Sequence, residues 1–271
     1  MQVYRGMDIG TAKPSAAERE EIPHHLLDLA DPEESFSVAR FQEHGRAVLG
    51  AAAAAERRLL IVGGSGLHFR ALVDPLEFPP ADPEVRAVLE AMPAEEATAR
   101  LLSADPDAGR WLDLDNPRRV TRALEVLEVT GATPSARAAT PTAAAVRSYA
   151  GLWPVTVLGV DPGSGLAARV QRRLGGMLAA GLVAEVERLA PRLGVTAAQA
   201  VGYRELLAVV RGEWTLEQAT RRAVDATTSL ARRQRTFHRR DPRVRWLQWD
   251  DDAAALAEQA AAVLEEAGWT S

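Results

Sequence analysis

The sequence predicts an α/β fold with a helical insertion, and three observations carry that prediction. Two short apolar runs, residues 59–62 and 155–160, each lead into a glycine-containing turn and then a helical pattern. That is the strand–turn–helix order of an α/β core. The stretch between them is helical, with Pro-rich joints. The composition is that of a packed protein: 271 residues, 47% apolar and 25% charged. Such a chain can bury a real core and is too apolar to stay disordered.

The elements follow in order. Leu59, Leu60, Ile61 and Val62 end in Gly63-Gly64-Ser65-Gly66, which reads as a buried parallel strand feeding a helix. Phe78-Pro79-Pro80-Ala81-Asp82-Pro83 opens a helix, with Asp82 as its cap and Pro83 in its first turn. Asn116-Pro117 opens another, which runs to Thr130 and stops at Gly131. Residues 132–145, rich in Ala, Thr and Pro, read as a mobile connection. The second strand is followed by Asp161-Pro162-Gly163-Ser164-Gly165. The helix after it carries Val170, Leu174, Met177, Leu178, Leu182 and Val186 on helical spacing. The last long helix begins at Thr215, where Gln218 completes a capping box. Residues 1–74 and 146–271 therefore form the α/β core, and 75–145 a helical insertion domain.

With no cysteine in the chain, disulfide scaffolds, thiolate zinc sites and a cysteine nucleophile are excluded, and a reducing, cytoplasmic setting is expected. The longest apolar stretches are broken by arginine and fall short of the roughly 18 residues a membrane span needs. Met1-Gln2-Val3-Tyr4-Arg5 carries no apolar leader, so no membrane partner is expected. His24, His25, His44, His68 and His238 lack a metal-ligand spacing, and no metal ligand is assigned. No dimer signal is visible, which leaves a monomer as the expectation.

The net charge is −5, which alone speaks against a nucleic-acid partner. Its distribution does not. From Arg221 to Arg245 nine arginines face only Asp225 and Asp241, a local +7 against −12 for the rest. On a helix, Leu216, Ala219, Ala223, Thr227, Leu230, Gln234 and Phe237 share one face, with Arg221, Arg232, Arg235 and Arg239 opposite. A solvated face usually mixes signs, whereas this one suits a polyanion. The cations are almost all arginine, with Lys13 the only lysine. Gly63-Gly64-Ser65-Gly66 could present amides to an anion at a helix start, but lacks the Gly-Lys-Ser/Thr ending of a phosphate loop. Arg169 and Arg173, four apart, could clamp a diphosphate or simply face solvent.

A series of motifs is similar to one family. Met1-Gln2-Val3-Tyr4-Arg5-Gly6-Met7-Asp8-Ile9-Gly10-Thr11-Ala12-Lys13-Pro14 is followed by Pro23-His24-His25-Leu26-Leu27-Asp28 and Ser37-Val38-Ala39-Arg40-Phe41. Then come Val62-Gly63-Gly64-Ser65-Gly66-Leu67, Phe78-Pro79-Pro80-Ala81-Asp82-Pro83 and Arg119-Val120-Thr121-Arg122-Ala123-Leu124-Glu125-Val126. Gln199-Ala200-Val201-Gly202-Tyr203-Arg204-Glu205 and Arg233-Gln234-Arg235-Thr236-Phe237-His238-Arg239-Arg240 close the series. In this order they resemble the tRNA dimethylallyltransferases (isopentenyl-tRNA transferases), over nearly the whole chain.

The resemblance implies a P-loop-like parallel-sheet core that moves a dimethylallyl group from dimethylallyl diphosphate to N6 of adenine 37 in tRNA. It implies Mg²⁺ to help the diphosphate leave. Ser65 falls where the family has a threonine beside the reacting adenine, and Arg173 matches its diphosphate-binding arginine. Met1, Gln2, Arg86, Arg118, Arg119, Arg122, Gln199, Gly202, Tyr203 and Arg204 match tRNA-contacting positions. So do Arg232, Arg233, Gln234, Arg235, Thr236 and Arg239. His68 stands where the family has a tyrosine, and Phe237-His238 where it has Trp-Phe. The family's first strand, phosphate loop and catalytic aspartate would lie upstream of Met1. On that reading the core lacks its first strand and phosphate loop. The chain is then an N-terminally truncated transferase with little or no activity, or a non-catalytic tRNA-binding remnant. A small-molecule P-loop kinase relative fits less well, because a small substrate requires no extended basic face.

Overall fold

Short polar caps and glycines punctuate the chain and set where its helices begin and end. The computed structural model describes residues 1–269, which divide into two compact units. The first is made of Met1–Leu72 and the chain from Thr156 onward; the second is Val73–Val155.

In the first unit, α1 (Ala16–Glu21) starts at a capping box between Ser15 and Glu18. Helix α2 (Val38–Ala54) is capped by Ser37, and α3 (Gly66–Val73) rises from the glycine-rich turn. The second unit contains α4 (Pro83–Glu90), α5 (Ala94–Ala104), α6 (Pro117–Thr130), α7 (Pro134–Ala138) and α8 (Pro141–Arg147). The chain returns to the first unit through β1 (Val157–Val160), α9 (Leu166–Ala179), α10 (Leu182–Leu189), α11 (Val195–Ala198) and α12 (Tyr203–Val210). Helix α13 (Leu216–His238), β2 (Val244–Leu247) and α14 (Ala253–Glu266) follow.

Asp82 caps α4 with Pro83 in its first turn, and Asn116 caps α6. Gly131 ends α6 in the left-handed region at φ +71°, which costs a glycine little. Thr215 and Gln218 form the reciprocal capping box of the 23-residue α13. The stretch expected to be a mobile connection is instead ordered into α7 and α8. Thr133 and Thr140 cap them, each followed by proline at the first helical position.

The sheet corrects the predicted fold class. It is a parallel pair, β1 with β2, in the register Val157↔Val244 to Val160↔Leu247. It is not defined by the loss of a first strand. Residues 59–62 join no ladder among the described residues; Leu60 and Val62 are 78% and 85% exposed. An apolar run favours extended backbone, but a strand also needs a neighbour to take its amides and carbonyls.

The core of the first unit gathers Tyr4, Met7, Leu182, Val186, Leu189 and Tyr203 around Ala219 and Ala223 of α13. Tyr4 bridges Ala30 in parallel fashion. Glu185, buried on α10, fastens the N-terminal segment. Its carboxylate accepts the amides of Asp8 (3.0 Å), Ile9 (2.9 Å) and Gly10 (3.1 Å), and the Tyr203 hydroxyl at 2.5 Å. Lys13 is fully buried and donates to Asp8 and Asp28, each at 2.6 Å, and to the Tyr4 carbonyl at 2.7 Å. In the second unit, Leu89, Ala97, Leu101, Val120 and Leu124 of α4, α5 and α6 make a separate core.

Candidate active site and nucleic-acid interface

The turn at residues 63–66 lies directly against α13. A Cβ on Gly64 would come within 2.7 Å of the Gln234 side chain, and one on Gly66 would collide with the Phe237 ring. At Gly66 close approach to the Phe237 ring favours glycine, whereas the flexible end of Gln234 could move aside at Gly64; neither φ is left-handed. The His238 ring meets the Gly64 carbonyl at 3.3 Å. The glycine-rich turn and the arginine-rich helix, read separately in the sequence, thus lie against each other within the first unit.

Ser65 is exposed at the start of α3. Its Oγ lies 2.7 Å from His68 Nδ1, one turn along the same helix. The His68 ring packs edge-on against Phe41 of α2, with centroids 4.8 Å apart. Burial holds His68 below the usual imidazole range. Gln2 is half-buried and folds back, its amide donating to the carbonyls of Thr11 (3.1 Å) and Ala12 (2.9 Å).

Along α13, Arg232, Arg233, Thr236 and Arg239 are exposed and Gln234 and Arg235 half-buried. Thr236 donates to the Arg232 carbonyl at 3.0 Å. Asp161, just after β1, draws in Arg235 and Arg239, each at 3.4 Å. Arg173 is exposed on α9. Arg169 is held elsewhere, by Asp251 at 2.8 Å and across the Trp249 ring at 4.0 Å. The clamp of two arginines is therefore not assembled.

Gln199 is exposed after α11, and Gly202 enters α12 at φ +93°. Tyr203 faces inward, fully buried; burial and the Glu185 carboxylate push its hydroxyl well above the usual phenol range. Arg204 points outward, held by the buried Glu205, which also accepts the Gly202 amide at 2.8 Å.

In the second unit, Arg86, Arg118 and Arg122 line a cleft of about 550 Å³ between α4 and α6, and Arg119 is exposed on α6. The fully buried Glu125 accepts from Arg86 at 2.6 Å, from Arg122 at 2.7 Å and from the Asp82 amide at 3.0 Å. Burial raises the Glu125 carboxyl, but its bonds from Arg86 and Arg122 outweigh that and hold it below the usual range. Sequence reasoning missed the buried acids Glu125, Glu185 and Glu205. Their place on otherwise apolar helix faces was the available signal.

A glycine-rich turn at a helix start, packed against an arginine-rich helix, is an arrangement that suits a polyanion. Comparison narrows the class. Residues 2–241 match the model of the IPP transferase family. The chain is 42% identical to a tRNA dimethylallyltransferase of Bifidobacterium adolescentis, over 98% of this chain and 78% of that one. It is 46% identical to the Streptomyces avermitilis tRNA dimethylallyltransferase, over 91% and 79%. Among solved structures, it resembles the tRNA isopentenylpyrophosphate transferase of Bacillus halodurans, with 32% identity, TM-score 0.66 and coverage of 98% and 86%. A eukaryotic dimethylallyltransferase solved acting on tRNA shares the fold at 22% identity and TM-score 0.76, with coverage of 98% and 71%.

The chain belongs to the IPP transferase family. The family model is met from residue 2, and solved family folds align over 98% of the chain. The expectation of a member set apart by a missing first strand, phosphate loop and catalytic aspartate is accordingly withdrawn.

Proposed function

We infer that this chain is an active tRNA dimethylallyltransferase, moving the dimethylallyl group of dimethylallyl diphosphate onto tRNA. Family membership supplies the reaction class. The observation that supports assigning it to these residues is the Ser65 turn packed against α13. The acceptor is N6 of adenine 37, which must leave its stack to reach the turn. As N6 bonds to the terminal prenyl carbon, the carbon–oxygen bond to diphosphate breaks and its electrons leave with the diphosphate. Arg173 and the amides at the start of α3 oppose that developing charge, while the Ser65 hydroxyl sits beside the acceptor amine.

Arg232, Arg233, Gln234, Arg235, Thr236 and Arg239 receive the tRNA backbone, with Gln199, Gly202 and Arg204 from the α11–α12 region and Met1 and Gln2 from the N-terminal segment. Tyr203 supports them from within. Arg86, Arg118, Arg119 and Arg122 are the contribution of the helical unit. Mg²⁺ accompanies the diphosphate. The described residues gather no three His, Asp or Glu side chains into a cation cage, and an ion held mainly by phosphate oxygens and water needs none. No helix among the described residues is long and apolar enough to cross a membrane. A cytoplasmic monomer is the working form we propose.

The test is incubation of the purified protein with dimethylallyl diphosphate, Mg²⁺ and a tRNA carrying adenine at position 37, followed by nucleoside mass spectrometry. Prenylated adenosine is expected, and none with guanine at that position. A protein that binds the tRNA without forming product would sink the reading.

A further inference from the structure

We propose that Glu205 is a positioning residue for tRNA. Its buried carboxylate holds one edge of the Arg204 guanidinium and so presents the other edge to a phosphate of the RNA backbone. The inference rests on the tRNA-binding part of the reading above, which sets Arg204 against the RNA. Glu205 is 1% exposed, whereas the Arg204 side chain is 52% exposed. Glu205 Oε1 accepts from Arg204 Nε at 2.9 Å and from Nη2 at 2.5 Å. Its Oε2 accepts the buried Gly202 amide at 2.8 Å. Successive helix residues do not face each other, so the Arg204 side chain folds back on its own turn to reach the carboxylate.

Capping alone does not call for an anion here. At α13 the same cap is made by the neutral Gln218, whose Oε1 accepts the Thr215 amide at 2.9 Å. A glutamine at position 205 could serve the Gly202 amide in the same way. The charge of Glu205 is what Arg204 uses. A guanidinium carries five donors in a planar fork. Nε and one Nη2 hydrogen are spent on Glu205, and among the described residues Nη1 has no hydrogen-bond partner. The edge formed by Nη1 and Nη2 is left open, and it is one that takes a phosphate through two parallel bonds. The backbone beneath is fixed as well. Gly202 enters the helix at φ +93°, and the Arg204 amide donates to the Ala200 carbonyl at 3.0 Å. Ordering this long side chain before the RNA arrives removes that cost from binding.

Binding of a tRNA carrying adenine at position 37, read by filter retention across a salt series, tests the proposal. By charge alone, Glu205→Gln takes a negative charge from beside the RNA and should tighten binding. Positioning predicts the opposite sign. Kd and KM for tRNA should rise about tenfold, the low end for one charge-assisted bond, with the loss falling on KM and not on kcat. Arg204→Lys keeps the charge and leaves Glu205 a partner, but an ammonium has no second edge to offer a phosphate, so a similar loss is expected. Arg204→Ala should weaken binding and lower the salt slope by about one. Adding Glu205→Gln to it should cost nothing more. Should the Glu205→Gln chain fail to fold, Arg204→Lys decides alone. Unchanged or tighter binding by folded Glu205→Gln, full affinity in Arg204→Lys, or additive losses in the double variant each overturn the inference. Wild-type affinity and slope in Arg204→Ala would remove Arg204 from the interface and the inference with it. These measurements need binding only, so a wild type that holds tRNA without prenylating it overturns the transferase reading and leaves this one standing.

Discussion

Buried and half-buried acids hold several of the cationic side chains of this protein in place. Glu125 holds Arg86 and Arg122, Glu205 holds Arg204, and Asp161 gathers Arg235 and Arg239. Glu185 does the same for backbone, taking three consecutive amides and a tyrosine hydroxyl. Glu185→Ala would leave three part-buried amides and the buried Tyr203 hydroxyl without this acceptor. At about 1–3 kcal/mol for each stranded group, partly relieved by relaxation, we expect a loss of at least about 3 kcal/mol. Urea unfolding measures it, and an unmoved midpoint would contradict the account. Glu125→Gln should leave the fold largely intact but free Arg86 and Arg122, weakening tRNA binding several-fold in a filter or gel assay. The arginines were legible in the sequence as runs and spacings. Their partners were not, because Glu185 lies 175 or more positions from the amides it binds, and no local pattern encodes such a pairing.

Helices were the most readable elements, because their signals are local. Asp82-Pro83, Asn116-Pro117 with Gly131, and Thr215 with Gln218 each name a start or a stop, and each is found in place. Thr133-Pro134 and Thr140-Pro141 carry the same signal, masked by the Ala/Thr/Pro composition around them. The strand expected at residues 59–62 failed for the opposite reason, since pairing is a long-range property. Thr215→Ala should cost about 1 kcal/mol by freeing the first amides of α13, read as a lower urea midpoint. For the exposed face of that helix, Arg232→Ala and Arg239→Ala should each weaken tRNA binding and reduce the steepness of its salt dependence by about one. A salt slope equal to wild type would remove those arginines from the interface.

Two units with separate cores imply two folding bodies. Residues 73–155 enclose their own apolar cluster and should express as a folded fragment with a cooperative melt. That unit should also be acid-sensitive. Burial raises Asp105, but its bonds to Ser135 outweigh this and leave it depressed, as the arginines leave Glu125. A carboxyl depressed in the folded state stabilises fully above its unfolded value near 4 and loses that stabilisation as pH falls through its folded value. Melting temperature of the fragment should therefore hold from neutrality to about pH 5 and fall below it, whereas a flat profile to about pH 3 would contradict both assignments. The chemistry of the surface also has a peculiarity. The only lysine of the chain is sealed between Asp8, Asp28 and the Tyr4 carbonyl. Every other fixed positive side chain is a guanidinium. Reagents that acylate side-chain amines, including the common lysine crosslinkers, find no target on the folded molecule, and labelling at Lys13 becomes a clock for the opening of its N-terminal segment.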